Sequence, residues 1–441
     1  MASRKPEMTK PRVVIQKAGG TPSLAVDRLM RRFPSVCHRL EECENVFIKV
    51  NAVYFHPHLH TSLSLIEAVV KFIKDMDPNK AIWLMENCSQ GNFTRLCFST
   101  VGIERIARSL RLHCLYLDEE KSVTATIGEG DTEREIRFPR ILHEKLIENR
   151  EKNFYLNMPV LKAHCQTQMT AGIKNQMGLL YDADKAKDHN FRLHQKLVNI
   201  LKFIRPDFTL VDALKVLARG PMPPERFVKE LLHEKDVIVG GEDTVAVDAV
   251  CAKILGHEPR DIKHVTLAAQ QGLGVADLDK IELEGEMPPA DGKIPWELRT
   301  HFPENLRVVV GKGGACYEGC LGHAEQVIEL VVNETAAPTD FAGLPLTIVT
   351  GKGFEPGQIE GLQEPIILLG ECANKELLET LREKYLSVES LNTCGRCDNI
   401  LAEVSRLLNV HVFDLTPLSR LEIYRQYLTG RMHGLRYKIP R

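Results

Sequence analysis

Apolar runs rich in β-branched residues alternate along the chain with stretches in which apolar residues recur every three or four positions. Short runs of the first kind are typical of buried strands, and the second spacing is typical of helices with one buried face. The predicted strands of the first two thirds are Arg12–Gln16, Asn45–Val50, Ala81–Glu86, Phe154–Leu161, Phe208–Val211 and Asp236–Val239. The predicted helices between them include Ser62–Lys74, Gln168–Leu180, Leu193–Ile204 and Thr244–Leu255. This alternation predicts an α/β fold, in which a mostly parallel sheet carries helices on both faces.

The alternation is interrupted at Glu286–Pro303, a segment rich in proline, glycine and charged residues. Such a composition is typical of a linker. We therefore predict two domains, an α/β domain over residues 1–290 and a second, smaller α/β domain, rich in cysteine, over residues 304–441. The strands predicted for the second domain are Leu306–Val310, Leu346–Thr350, Ile366–Leu369 and Tyr385–Val388.

Composition narrows the class of protein. Hydrophobic residues make up 44% of the 441 positions and charged residues 26%, which is the balance of a folded globular protein. Lysine and arginine number 57 against 59 aspartates and glutamates, so no overall basic excess favours binding to nucleic acid. No apolar run approaches the roughly 18–20 residues of a membrane helix, and the charged N-terminus lacks the apolar centre of a secretory signal. We expect a cytoplasmic protein with no nucleic-acid partner and no membrane partner.

Twelve cysteines are unusual in such a chain, because cytosolic cysteines rarely form structural disulfides. Seven are scattered, and the other five lie in the last third: Cys316, Cys320, Cys372, Cys394 and Cys397. Each of these five follows a predicted strand and lies near the start of a predicted helix. The carboxyl ends of parallel strands share one edge of a sheet, and helix N-termini favour thiolates. We therefore expect the five side chains to converge.

Metal binding by four of these five cysteines is the predicted use of the cluster. A [4Fe–4S] cluster takes four thiolates, and a zinc ion in a Cys₄ site takes the same number. We favour the iron–sulfur cluster as the cofactor, with zinc as the alternative. Two further interpretations are that the cysteines are small buried hydrophobic side chains, or that Cys394 and Cys397 form a redox disulfide.

Polar residues follow the strands of the first domain in a similar way, and the same edge argument places them in one crevice. The candidate catalytic residues are Glu86, Lys162, His164, Lys174 and Asp212, and the candidate binding residues are Lys49, Asn51 and Asn175. The lysines would attract a small anionic molecule, and His164 could act as a general acid or base. Each residue taken alone also fits a structural role, as a solvated side chain or a helix cap.

Several blocks of sequence resemble a known family. In chain order they are IKVN at Ile48–Asn51, NMPVLKAH at Asn157–His164, TAGIKNQMG at Thr170–Gly178, PDFTLVDA at Pro206–Ala213, VGGEDTVAVD at Val239–Asp248 and GLG at Gly272–Gly274. Together they resemble the family called domain of unknown function 362, over roughly residues 45–286. The resemblance implies an association with iron–sulfur clusters, which members of the family often bind through an added ferredoxin-like segment. This chain departs from that pattern, because its tail cysteines are dispersed, so the resemblance assigns neither the ligands nor a reaction.

These observations favour an iron–sulfur protein that acts as an oxidoreductase on a small anionic substrate, with a redox protein as a further partner. One alternative is a non-redox enzyme or binding protein with a Cys₄ zinc site. Another is an electron-transfer or assembly partner that has no substrate of its own.

Overall fold

A computed structural model describes residues 10–88, 92–186, 192–290, 292–299, 302, 304–334, 345–394, 396–410, 415 and 418–438. Four positions of the predicted linker, at 291, 300, 301 and 303, lie outside the described residues. The strands are β1 (Arg12–Lys17), β2 (Asn45–Val50), β3 (Ala81–Glu86), β4 (His113–Tyr116), β5 (Ser122–Ile127), β6 (Arg134–Pro139), β7 (Asn153–Met158), β8 (Val160–His164), β9 (Gln168–Thr170), β10 (Phe208–Leu217), β11 (Leu232–Gly241), β12 (Glu282–Glu284), β13 (Leu306–Val310), β14 (Leu346–Thr350), β15 (Ile366–Leu369) and β16 (Val388–Leu391). The helices are α1 (Pro22–Met30), α2 (Pro34–Glu42), α3 (Leu63–Met76), α4 (Thr94–Val101), α5 (Ile103–Ser109), α6 (Arg140–His143), α7 (Gly172–Asn175), α8 (Asp182–Ala186), α9 (Leu193–Phe203), α10 (Glu225–Leu231), α11 (Thr244–Ile254), α12 (Lys263–Gln270), α13 (Cys320–Glu334), α14 (Glu371–Lys384), α15 (Cys397–Leu407) and α16 (Arg420–Met432).

The first sheet is mixed but mostly parallel. Its strand order is β12-β1-β11-β10-β7-β2-β3-β4, and β8 extends the middle of the sheet by pairing with β10 and β9. The pairs β7–β2, β2–β3 and β3–β4 are parallel, whereas β11 runs antiparallel to both β1 and β10. Apolar side chains of α7, α9, α11 and α12 cover one face, and those of α1, α3, α4 and α5 cover the other. The predicted α/β fold with helices on both faces is therefore confirmed.

The second sheet is smaller and entirely parallel, in the order β13-β14-β15-β16. Helices α13 and α15 pack on one face, and α14 packs on the other. The last strand begins at Val388 rather than at Tyr385, because the Tyr385 side chain instead hydrogen-bonds Ile359 and Leu362 in the loop before β15. Helix α16 leaves this sheet and packs against α4 of the first domain, so the second sheet does not account for the whole range 304–441.

The predicted helix Gln168–Leu180 is wrong in its first part. Residues Gln168–Thr170 form β9, which turns back onto β8 with Lys162 opposite Thr170. A short helix, α7, and a 3₁₀ turn at Gln176–Leu179 follow. Gly172 and Gly178 lower the helix propensity of the segment, and pairing with a buried strand outweighs what propensity remains.

No described helix is both long enough and apolar enough to cross a membrane.

Candidate functional site: a lysine-lined crevice beside a cysteine cavity

A crevice opens where the first sheet and α7 meet the helices of the second sheet. Most of the residues predicted for it do line it: Asn51, Glu86, Lys162, His164, Lys174 and Asn175. The second sheet contributes His323 and Gln326 from α13 and Cys397 from α15. The crevice therefore lies between the two parts of the chain, which the sequence did not predict.

A chain of hydrogen-bonded asparagine side chains connects several of the sequence blocks that resemble the family inside the crevice wall. Asn51 Nδ2 donates to Asn175 Oδ1 at 3.0 Å, and Asn175 Nδ2 donates to Asn157 Oδ1 at 2.8 Å. Asn157 Nδ2 then donates to the carbonyl of Gly172 at 2.9 Å. At the other end, Lys162 Nζ donates to Asn51 Oδ1 at 2.9 Å. The network fixes Lys162 and the start of α7 relative to the ends of β2 and β7.

Lys49 lies behind the crevice surface rather than on it. Its ammonium forms a fully buried ion pair with Glu86, and Glu86 lines the crevice. A Cβ atom on Gly178 would lie 2.5 Å from Glu86 Oε1 and 2.7 Å from Lys49 Nζ, so the chain passes over this pair only because residue 178 has no side chain. The predicted binding role of Lys49 is thus indirect, through the carboxylate that it holds.

Asp248 holds α7 in place. Its carboxylate accepts the backbone N–H groups of Gly172 at 2.7 Å and Ile173 at 2.9 Å. Burial raises the pKa of Asp248 to about 7. A carboxylate on these otherwise unpaired N–H groups fixes the first turn, and with it the positions of Lys174 and Asn175.

Two lysines give the crevice its electrostatic character. Burial, together with the charge of Lys174, lowers the pKa of Lys162 to about 7. Burial and the charge of Lys185 lower the pKa of Lys174 to about 8. Lys162 Nζ is held by Asn51 and by the carbonyl of Leu59 at 2.8 Å. Lys174 Nζ, by contrast, has no hydrogen-bond or ion-pair partner among the described residues. An anion in the crevice would supply that partner.

Lys185 and Asp182 belong to this site, although the sequence analysis did not identify them. Lys185 Nζ donates to the carbonyl of Asn87 at 2.9 Å and lies 3.2 Å from Asp182 Oδ1. Both residues lie on α8, only a few positions after the Lys174–Gly178 block. Their closeness to this block in the sequence was a signal that could have identified them. A Lys–Asp pair on a short helix is, however, also typical of a solvent-exposed helix surface.

Asp212 does not line the crevice. Its carboxylate accepts the backbone N–H groups of Ser62 at 2.8 Å and Leu214 at 3.2 Å, and so fixes the start of α3. The strand β10 continues to Leu217, so Asp212 lies inside the strand, opposite Val160 of β8, rather than at the strand end that the sequence predicted. The second carboxylate near the lysines is Asp182 instead.

Several buried polar atoms at the crevice have no protein partner in the described residues. They are Asn87 Oδ1, Gln166 Nε2, Thr170 Oγ1 and Gln326 Nε2. A buried polar atom without a partner costs roughly 1–3 kcal/mol. Such atoms, lining one crevice, indicate a polar ligand or ordered water there.

The two crevice histidines hold their protons on different nitrogens. His164 Nδ1 accepts the backbone N–H groups of Gln166 at 3.2 Å and Thr167 at 3.4 Å, so its neutral ring carries the proton on Nε2. His323 Nδ1 lies 2.7 Å from the carbonyl of Gly319 and donates to it, so its neutral ring carries the proton on Nδ1. Burial lowers the pKa of His323 to about 4, which keeps this ring neutral near pH 7.

A second, smaller cavity lies at the carboxyl edge of the second sheet. It is lined by four of the five predicted cysteines, Cys316, Cys320, Cys372 and Cys394. Cys397, the fifth, lines the crevice instead. The strand-to-helix placement thus brings four cysteines together and turns the last one towards the first domain.

The thiols of this cavity interact directly. Cys320 shares hydrogen bonds with Cys316 and with Cys394, which lowers the pKa of Cys316 to about 7 and of Cys394 to about 6. The same contacts raise the pKa of Cys320. Cys372, on the first turn of α14, is more exposed than the other three.

Glycines allow the backbone to close tightly around the cavity. Gly370 has φ +90°, and a Cβ atom there would lie 2.6 Å from Cys320 Sγ. A Cβ atom on Gly311 would lie 2.2 Å from the carbonyl oxygen of Lys352, where the loops after β13 and β14 meet. The cradle is therefore shaped for sulfur atoms, and the donor set fits a thiolate-bound metal. Within the described part of the chain, no three His, Cys, Asp or Glu side chains already hold a ready-made metal geometry, so the thiols would have to rearrange around a metal.

The cavity and the crevice are neighbours. Cys320 faces the cavity and His323 faces the crevice, and the two are three positions apart on α13, about 4.5 Å of helix rise. Cys394 likewise lines the cavity, and Cys397, at the start of α15, lines the crevice. Two segments of the second domain therefore contribute residues to both sites.

Comparisons with known proteins bear on the first domain. Residues 46–253 match the model of a family described as "Domain of unknown function (DUF362)", which confirms over that segment the resemblance predicted from the sequence. A thylakoid-associated protein from Synechocystis sp. is 32% identical over 189 residues, which make up 36% of this chain and 56% of that protein. The chain thus covers little more than half the length of this relative.

A solved structure also matches the chain over most of its length. The lactate racemase apoprotein from Thermoanaerobacterium thermosaccharolyticum has a TM-score of 0.43 and 10% sequence identity, over 93% of this chain and 84% of that one. A similarity of this extent indicates nothing about function.

Proposed function

We propose that this protein is an iron–sulfur oxidoreductase that acts on a small anionic substrate bound in the crevice. The observation that carries the proposal is that one helix, α13, lines both sites: its His323 lines the crevice that holds Lys174, an ammonium without a described partner, and its Cys320 lines the cavity of four cysteines. An anion site and a site for a redox metal would thereby share one wall.

Charge favours an anion in the crevice. Four lysines lie close together there, and Glu86 and Asp182 pair with two of them, Lys49 and Lys185. Lys162 and Lys174 remain without a carboxylate, and their lowered pKa values reflect the cost of holding charge in that environment. A carboxylate or phosphate group would restore the protonated lysines and accept hydrogen bonds from Lys174.

The histidines would orient the substrate through hydrogen bonds. Because backbone N–H groups occupy Nδ1 of His164, its Nε2–H is the group suited to donate a hydrogen bond to the substrate. Because Nδ1 of His323 donates to Gly319, its Nε2 is the atom suited to accept one. His164 comes from β8 and His323 from α13, so the two domains would supply a donor and an acceptor to the same bound molecule.

Cys316, Cys320, Cys372 and Cys394 would hold the cluster. When bound, a [4Fe–4S] cluster supplies single electrons at a potential set by its surroundings. The family resemblance supports this choice, and so does the short distance to the crevice, since a structural zinc ion would need no substrate site beside it.

A Cys₄ zinc site is the second candidate, and one observation favours it. The thiol of Cys320 is in hydrogen-bond contact with the thiols of Cys316 and Cys394. Four thiolates around a single zinc ion lie about 3.8 Å apart, close to such contact, whereas a cluster spreads its ligands over several iron atoms. On this alternative the protein would be a non-redox enzyme or an anion-binding protein.

The absorption spectrum of anaerobically purified protein distinguishes the two candidates. A brown protein with broad visible absorption and about four iron atoms per chain is the expected result. A colourless protein with about one zinc atom per chain would replace the redox proposal with the zinc alternative.

Turnover with an artificial reductant then tests whether the protein is an enzyme. We expect consumption of reductant to depend on a small carboxylic or phosphorylated compound. Reduction of the cluster without any such dependence would favour a carrier that hands electrons to another protein. A redox protein as the natural donor, and a cytoplasmic location, remain part of the proposal.

A further inference from the structure

Helix α16 has two different faces. Ile423, Gln426 and Gly430 are buried against the first domain, and Gln426 Nε2 donates to Ser99 Oγ of α4 at 2.9 Å. This face fixes the helix on the body of the protein, so the orientation of the opposite face is also fixed.

The opposite face is apolar and exposed. Its side chains are Leu421, Tyr424, Leu428 and Met432, of which 80%, 50%, 61% and 84% is accessible. Their spacings of three, four and four positions place them on one side of the helix. These residues are half of the large exposed hydrophobic residues in the described part of the chain. Such clustering marks an interaction surface rather than scattered surface apolarity.

Arginines border this apolar stripe on both sides. At 100° per residue, Arg425 falls along one border, and Arg420 and Arg431 fall along the other. All three are exposed. The acidic residue of the helix, Glu422, accepts from Gln426 Nε2 at 3.0 Å and lies 3.8 Å from Arg425 Nε. Three arginines against this one glutamate leave α16 with a net positive charge.

We propose that α16 docks the protein on an anionic membrane surface. Leu421, Tyr424, Leu428 and Met432 would enter the boundary between headgroups and acyl chains, and the bordering arginines would contact lipid phosphates. A helix that lies in the interface has this arrangement, with a central apolar stripe and basic flanks. The earlier expectation of no membrane partner rested on the lack of a long apolar run, which excludes a spanning helix but not a helix lying on the surface.

A protein partner fits this surface less well. The stripe runs from Leu421 to Met432, about 16 Å of helix, and arginines border it along its length. A stable protein interface buries about 800 Å² on each partner and carries few charges at its centre. Charge complementarity between the arginines and an anionic bilayer therefore explains the exposed face of α16 better than a protein partner does.

Co-sedimentation with lipid vesicles tests the proposal on the full-length protein. Vesicles of phosphatidylcholine with about 30% phosphatidylglycerol should bind the protein, and pure phosphatidylcholine vesicles should bind it weakly. The double variant Leu421→Ser/Leu428→Ser should bind the anionic vesicles about tenfold more weakly or worse. Arg420→Gln/Arg425→Gln should weaken binding and reduce its sensitivity to salt.

Leu386→Ser is the matched control, because Leu386 is fully exposed but lies on the second domain. It should bind vesicles like the unmodified protein. Melting curves would establish that all variants are folded, as expected for changes confined to exposed side chains. The proposal is overturned if the unmodified protein does not bind anionic vesicles. It is also overturned if the Leu421→Ser/Leu428→Ser variant binds them as tightly as the unmodified protein does. Association of α16 with a protein in the absence of vesicle binding would overturn it equally.

Discussion

Lys162 and Lys174 illustrate how the same side chain acquires different properties from its partners. Lys162 is enclosed by Asn51 and the Leu59 carbonyl, so its hydrogen bonds are already made. Lys174 lines the same crevice with no described partner. Only Lys174 is therefore prepared to give a new hydrogen bond to a ligand, while Lys162 contributes mainly charge.

Replacing Lys174 with methionine should weaken anion binding more than it weakens folding. A hydrogen bond to a charged group contributes about 1.5–3 kcal/mol, so we expect affinity for a probe such as phosphate or acetate to fall about tenfold or more. Isothermal titration of the purified protein measures the change. Lys293→Met, at an exposed position outside the crevice, is the control, and an equal loss in both variants would rule out a specific role for Lys174.

Stability should depend on pH through the same two lysines. Their folded pKa values of about 7 and about 8 lie below the ordinary value of 10.5, so the unfolded chain binds more protons between these limits. The contribution of each lysine to stability is therefore most unfavourable below its folded pKa and is relieved as the pH rises towards 10.5. Unmodified protein should gain in Tm relative to Lys174→Met between pH of about 7 and about 9.5. A difference in Tm that stays constant over this range would contradict the assignment.

The sequence correctly predicted crevice residues that lie near the end of a strand, because the edge of the sheet alone decides where such residues lie. Glu86 and His164 end strands, Lys162 lies two residues before the end of β8, and all three line one crevice. Asp212 lies inside β10, which continues to Leu217, and its carboxylate accepts backbone N–H groups instead. His323 and Gln326 could not be predicted as crevice residues, since their role depends on how α13 packs against the first domain.

Among the elements, the hairpin of β8 and β9 shows where periodicity misleads. Met169 and Ala171 fit a helical pattern, yet Met169 pairs with Ala163 of β8. The hairpin turns the chain so that α7 starts beside Asp248 rather than continuing from a longer helix. The displaced helix start is what brings Lys174 to the crevice.

The strand-to-helix junctions of the second sheet permit a direct test with matched variants. Single Cys316→Ser, Cys320→Ser and Cys394→Ser changes should each lower the bound metal, because each removes a thiolate from the cavity. Cys397→Ser should keep full metal content, since Cys397 faces the crevice. Metal analysis of anaerobically purified variants provides the measurement. If the Cys316→Ser variant and the Cys320→Ser variant each kept full metal content, the cavity would not be the metal site.

For the whole molecule, the two sheets have separate apolar cores. The alternation of strands and helices predicted both sheets, but the crevice between them depends on contacts that no local pattern encodes. One such contact is the ion pair between Lys263 of α12 and Glu318 in the loop before α13, at 2.6 Å. The crevice therefore forms only where the two domains pack together, and the sequence predicted only the residues that the first domain contributes to it.

Loss of metal should loosen the second sheet while the first domain stays compact, because metal binding is coupled to folding where no site exists in the unfolded chain. Limited proteolysis of the metal-free protein should then cut first within Glu286–Pro303 or beyond it. Mass spectrometry of the fragments locates the cuts. First cuts before residue 200 would contradict the division into two domains.

The return of α16 to the first domain has a consequence for the entropy of the chain. Ile294, which precedes the second sheet in the sequence, is packed in the core of the first domain. Ile423, which follows that sheet in the sequence, is also packed against the first domain. While both anchors hold, the segment between them is a closed loop even when its own sheet has unfolded. A closed loop has fewer conformations than a free tail, so unfolding of the second sheet gains less conformational entropy. The resulting increase in the free energy of unfolding is on the order of a few kcal/mol. The last helix thus raises the stability of the second sheet by limiting the conformations of that sheet's disordered state.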